Sequence, residues 1–216
     1  MTEEVQILTD LIDVVRLPEQ RGYHSQSYQN RLDDLESRIS TAYKNGTKEI
    51  QAALKDRKPG DEESWTSLIQ RRLFVGALWI YFMRMARQLS GPSRVVSSLL
   101  TDMFDDNETG IDVLQKCNLP FAVYVLGSEA TSEERRRSVL DLIYRTAIVA
   151  RCIDQRPEDD FDPIVESGPL GNILNMLKVA WAFDDLHVGN DAEKHLDYRT
   201  KLHLVFTSSE ILPGLA

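Results

Sequence analysis

Apolar residues recur along most of this chain at intervals of three and four, the spacing of a helix face rather than the alternation of a strand. From Glu3 to Arg16 the apolar set is Val5, Leu8, Leu11, Ile12 and Val15, which predicts a helix ended by Pro18. A second helix is predicted from Ser27 to Lys44, with Leu32, Leu35, Ile39 and Ala42 inward. Asn45-Gly46 then punctuates, and a short helix through Ile50, Ala53 and Leu54 runs up to Pro59-Gly60.

The segment from about Glu62 to Leu89 differs. Its middle, LFVGALWIYFM, is apolar on every side, as expected of a helix surrounded by others. Gly91-Pro92 stops it, and the next helix turns Val95, Val96, Leu99, Leu100 and Met103 inward. An acidic turn, DDNETG, precedes a short helix through Val113 and Leu114. Further on, Thr131 and Glu134 have the spacing of a capping box, and the helix they start carries Val139, Leu140, Ile143, Ala147 and Ala150 on one stripe to about Cys152. An acidic loop from Arg156 to Pro169 leads to a final apolar helix, Leu170 to Phe183, and a polar tail in which Leu202 to Phe206 is ambiguous. No segment alternates in strand fashion over a useful length. The expectation is one compact all-α domain over residues 1–216 with a buried central helix.

Composition narrows the function. A chain of 216 residues can bury a sizeable core, and its formal charge of −9 argues against binding to a phosphate backbone, which needs clustered Lys and Arg. The one dense basic cluster, Arg135 to Arg137, follows Glu133-Glu134 and reads as a salt-bridged helix face. Two cysteines, Cys117 and Cys152, are too few for a disulfide framework or a zinc cluster and suit a reducing compartment. The acidic, amphipathic N-terminus is neither a secretory signal nor a transit peptide, and the uncharged stretch Leu73 to Met83 is too short to span a bilayer.

Chemical motifs fare poorly. Asp105, Asn107, Thr109 and Gly110 suit the early positions of a calcium loop, but Lys116 stands where the bidentate Glu belongs. His187, His195 and His203 are eight residues apart, which on a helix rotates each ring about 80° past two full turns, so they do not converge on a metal. The pairs Asp105-Asp106 and Asp184-Asp185 lack the further carboxylate that diphosphate-bound magnesium requires in terpenoid cyclisation. No Gly-rich phosphate loop, nucleophile elbow or HExxH is present. Cys117, flanked by Leu114 and Leu119, reads as a packed thiol, and Trp79, Tyr81 and Phe82 beside Leu78 and Met85 read as core. No catalytic, cofactor-binding or metal residue is assigned, and no cofactor is expected.

One stretch stands apart: LPFAVYVLGSEATSEERRR, Leu119 to Arg137. Its proline starts a helix or tight entry, its uncharged run is buried between neighbours, and Gly127 allows a close backbone approach or a helix stop. Glu129 pairs with an Arg or caps the next helix. The stretch resembles a landmark of the fungal-specific transcription factor domain, the helical effector region that follows the binuclear zinc cluster in fungal regulators. There a Leu-Pro-Trp-Pro run leads into a hydrophobic segment, then Gly-(Ser/Cys)-Glu-Ala, then a helix rich in Glu and Arg. Leu119, Pro120, Val123, Tyr124, Val125, Gly127, Ser128, Glu129 and Ala130 match, with Glu133, Glu134 and Arg135 after them, while Phe121 and Ala122 replace the Trp-Pro pair. The segments around Tyr81 and Arg84, and around Trp181 and Asp184, are similar to the family's other helices.

The resemblance implies a regulatory helical module in the nucleus or cytoplasm. Its expected partners are a second copy of the chain, a small-metabolite ligand and the transcription machinery or other regulators, with no direct nucleic acid and no membrane. The six-cysteine cluster is absent, so the chain reads either as a fragment of a longer regulator or as a short protein without its DNA reader. The alternative is a stand-alone small-molecule carrier or enzyme of a fungal biosynthetic pathway on the same helical frame. Its candidate pocket residues are Tyr81, Arg84, Tyr124, Glu129 and Tyr144, which no spacing argument brings together.

Overall fold

A computed structural model describes residues 3–16, 25–56, 61–89, 91–154 and 169–187, and within these all side chains except those at 16, 150–154, 186 and 187. Among the described residues there are seven α-helices and no strand, so the fold is all-α. The chain divides into two compact units, Met1–Leu99 and Leu100–Ala216.

The first unit is built on α1 (Glu3–Arg16), α2 (Gln26–Asp56) and α3 (Glu62–Tyr81), the last continued by a π-helical turn, Phe82–Ala86. Helix α2 packs along α3, and α1 packs against α2 and the π turn. The apolar middle of α3 behaves as its composition requires: Val75, Gly76, Ala77 and Leu78 are buried in succession, so all sides of the helix are covered. Tyr28 ties the first two helices by donating its hydroxyl to the Val14 carbonyl at 3.3 Å. Arginines from the third helix and its extension complete the assembly. Arg71 donates to Glu4 on α1 at 2.6 Å and to Glu49 on α2 at 2.9 Å. Arg87, whose guanidinium lies over the Phe82 ring, donates to Asp33 and Glu36 of α2, both at 2.6 Å.

Three local expectations are corrected here. Asn45-Gly46 does not break the chain: α2 runs unbroken for 31 residues, because Gly46 is buried where a Cβ would lie 4.0 Å from that of Arg72. The packing of α2 along α3 at this crossing outweighs the weak helix propensity of Asn-Gly. The inward face of α1 is shifted about Leu11, which is buried as expected, with Ile7 and Val14 buried beside it and Val5 and Ile12 exposed. The long third helix does not continue in α form to Leu89. Arg87 N–H reaches back five residues to the Phe82 carbonyl, and Gln88 adopts a left-handed φ of 55°. Arg84 closes that end by donating to the carbonyls of Leu89 at 2.6 Å and Gly91 at 2.7 Å.

Helix α4 (Arg94–Phe104) carries the boundary between the units. It buries Val96, Leu99, Leu100 and Met103, while Val95, expected inward, is exposed. The second unit contains α5 (Pro120–Ser128), α6 (Glu133–Asp154) and α7 (Pro169–His187), after a 3₁₀ turn at Ile111–Val113 where a short helix was expected. Helix α5 packs on both α6 and α7, and α6 also meets the 3₁₀ turn. The start of α6 is capped by Ser132, which accepts from the Arg135 N–H at 3.3 Å, so the cap falls one residue after the expected Thr131. Helix α7 extends four residues beyond the expected Phe183. Pro18, Pro59-Gly60, the loop residues 156–168, His195, His203 and Leu202 to Phe206 lie outside the described residues.

Candidate functional site

The quoted run from Leu119 folds as its residues suggest. Pro120 occupies the first turn of α5, where its missing N–H costs nothing, and the uncharged run buries Ala122, Val123, Val125, Leu126 and Gly127. At Gly127 α7 comes close: a Cβ there would lie 2.5 Å from Leu177 Cδ1. One turn further along α7, the Trp181 indole donates to the Gly127 carbonyl at 2.8 Å. Tyr124 packs on Met176 and Ala180 of the same helix.

Arg136 binds this corner together. Its Nε donates to the Ala130 carbonyl at 3.1 Å, its guanidinium sits 5.6 Å from the Trp181 ring centroid, and Nη1 donates to both carboxylate oxygens of Asp185 at 2.8 and 3.0 Å. Its neighbour Arg135 makes a parallel arrangement, over the Phe104 ring and paired with Asp105 at 2.8 Å. Arg135 and Arg136 of the basic cluster are therefore salt-bridged, but to other elements rather than along their own helix. Sequence reasoning had Gly127, Arg136 and Trp181 in view without the contact that joins them, since 54 residues separate the glycine from the tryptophan.

The residues tested for chemistry are occupied otherwise. Asp106 accepts from the N–H groups of Glu108 at 2.9 Å and Thr109 at 3.1 Å, and from the Thr109 hydroxyl, so it closes the DDNETG turn. Among the described residues no group of three or more His, Cys, Asp or Glu is placed to hold a metal. Cys117 is buried, and burial pushes its thiol up to about 11, far from the thiolate a nucleophile needs. Its backbone N–H donates to the Thr146 hydroxyl at 2.8 Å, which in turn donates to the Leu142 carbonyl at 2.8 Å. Trp79 stands edge-on to Tyr43 with centroids 5.7 Å apart, and Phe82 is fully buried.

Of the five candidate pocket residues, Tyr81 and Arg84 belong to the first unit and Tyr124, Glu129 and Tyr144 to the second. Burial raises the Tyr81 phenol above its ordinary value. Arg84 is committed to its two carbonyls, Glu129 is buried at the end of α5, and Tyr144 is exposed.

A groove that the sequence did not single out lies between α1 and α2. It has a volume of about 700 Å³ and is open to solvent. The buried side chains of Val14 and Leu35 form its floor, and Asp10, Asn30, Arg31, Asp34 and Arg38 supply polar groups. Asp10 accepts from Arg38 at 2.7 Å and from Gln6 at 2.9 Å. Burial works against ionising this carboxyl, but the hydrogen bonds from Arg38 and Gln6 and the positive charges of Arg38 and Arg31 prevail and hold it below the usual carboxylate value. In the sequence Arg31, Asp34 and Arg38 stand only as charges among the inward residues Leu32, Leu35 and Ile39.

These features define an all-helical domain whose distinctive residues serve to lock helices together. The chain belongs to the fungal specific transcription factor domain family, whose pattern it matches over residues 2–190. It is similar to the transcription factor iacI of Pestalotiopsis fici, with 30% identity over 100 residues. That match covers 46% of this chain and 21% of the relative's length. No solved structure matches the chain. Among the described residues no helix is long and apolar enough to cross a membrane. Family membership and the transcription-factor relative support a role in transcription regulation.

Proposed function

We propose that this chain is the regulatory helical module of a fungal transcription regulator, acting in the nucleus through other proteins and answering to a small metabolite. It contributes no DNA-binding element of its own. The observation that carries this reading is the joining of the family landmark to α7 through Gly127, Trp181 and Arg136. Three helices are held by a hydrogen bond, a cation–π contact and an ion pair at one corner, the kind of assembly whose packing a bound ligand or protein can bias. The acidic balance of the chain supports action through proteins rather than through phosphate contacts.

The test is deletion of the gene in its fungal host, followed by transcript profiling against a strain that carries it back. A discrete set of transcripts that changes and is restored supports regulation. Unchanged transcripts with a changed metabolite profile point instead to the carrier or enzyme reading.

A further inference from the structure

The α1/α2 groove has a composition that selects among ligands. Its charged lining is balanced, Asp10 and Asp34 against Arg31 and Arg38. Half of that charge is already committed. Arg38 is bound to Asp10 at 2.7 Å and stands 3.8 Å from Asp34, at the outer limit of an ion pair. The Asp34 side chain is 70% exposed, so its oxygens keep capacity for another donor. The Arg31 guanidinium is exposed and offers a fork of donors suited to a carboxylate. Beside it, Gln26 donates to the Asn30 side-chain oxygen at 2.9 Å, which orients the Asn30 amide N–H₂ as a donor for an acidic guest.

Arg31 and Asp34 are three residues apart on α2, about 4.5 Å along its axis, and so stand on neighbouring turns of one face. Beneath them lie the buried side chains of Val14 and Leu35. A purely anionic guest would meet the two aspartates and a purely cationic one the two arginines. A molecule carrying both charges matches both. The volume of about 700 Å³ falls in the usual range for small-molecule sites, roughly 300–1,000 Å³.

We propose that the α1/α2 groove binds a small zwitterion of the amino-acid class, its carboxylate on Arg31 and Asn30 and its amine on Asp34. This rests on the metabolite-sensing part of the proposed function and names the ligand class.

The experiment is calorimetric titration of the full chain with the common L-amino acids and γ-aminobutyrate. The strongest binder is then repeated as its decarboxylated amine and as its deaminated acid. The expected result is saturable binding of at least one zwitterion, weakened about tenfold or more in each single-charge analogue. Arg31→Ala and Asp34→Ala, both at exposed positions, weaken it by about the same factor while circular dichroism shows an unchanged fold. Overturning results are no binding by any of these zwitterions up to about 10 mM, equal binding of a single-charge analogue, or binding indifferent to both variants. Failure of the regulatory reading is seen separately, in transcript profiles that do not change on gene deletion.

Discussion

The Trp181 indole donates to the Gly127 carbonyl at 2.8 Å, and the same glycine faces Leu177 so closely that a Cβ would lie 2.5 Å from its Cδ1. Leu177 is fully buried, so it has little room to turn away. Gly127→Ala is therefore expected to destabilise the fold by about 1–3 kcal/mol through overpacking. Urea denaturation measures it. Leu177→Ala in the same chain should make the Gly127→Ala step nearly neutral, and a cycle without such coupling would show that α5 and α7 do not meet at this point.

Trp181→Phe removes the N–H while keeping an aromatic body under Arg136. The Gly127 carbonyl then loses its indole donor but keeps the Ala130 N–H at 3.1 Å, so the expected cost is about 0.5–1.5 kcal/mol. Arg136→Lys keeps the charge but loses the two-oxygen grip on Asp185 and the planar stack on the ring. Its cost is expected to stay within about 1 kcal/mol, because Asp185 is largely exposed.

Cys117 should be silent toward thiol reagents in the native protein. With Cys152→Ser in place, to leave one thiol, a disulfide reagent at about pH 8 should label only on the timescale of unfolding and at once in denaturant. The sign of the pH effect follows from the raised value of about 11 against an ordinary 9.0. The neutral thiol's contribution to stability is complete below pH 9 and is lost as pH rises toward 11, because the unfolded chain ionises first. Rapid native labelling would contradict the burial.

Asp10 acts at the other end of the scale. Its folded value lies below the ordinary 3.8, so its ion pair adds stability above that pH and loses it as pH falls through the lower folded value. Arg38→Ala should move the acid-unfolding midpoint upward. Both side chains are 32% exposed, so the change at neutral pH is expected to stay within about 1 kcal/mol. An acid transition unmoved by the substitution would remove the pair from the account.

Much of the helical frame was legible in three- and four-residue spacing, and the apolar middle of α3 announced a helix covered on all sides. What local pattern could not supply was tertiary. Asn45-Gly46 reads as a stop until Gly46 is seen buried opposite Arg72 of α3. On α1 two adjacent apolar stripes compete, and the choice shows only in tertiary contacts such as Arg71 with Glu4, Tyr28 with Val14 and Arg38 with Asp10. The π turn at Phe82–Ala86 has no local signature, since its residues suit an α-helix equally well. The candidate groove was illegible for a similar reason: Asp10 and Arg38 are 28 positions apart and each looks like an ordinary surface charge. The Gly127 landmark, by contrast, was visible as a motif, while its partner Trp181 waited on the packing of α7.

The measurement that bears most directly on the regulatory reading is a tethered-reporter assay. The chain is fused to a heterologous DNA-binding domain in a fungal strain whose reporter carries the matching site, with the DNA-binding domain alone as reference. The account predicts a reporter level clearly shifted from that reference, and loss of the shift when Trp181→Ala, together with Arg136→Ala, loosens the α5–α7 corner. A folded, nuclear fusion that leaves the reporter at the reference level would contradict it.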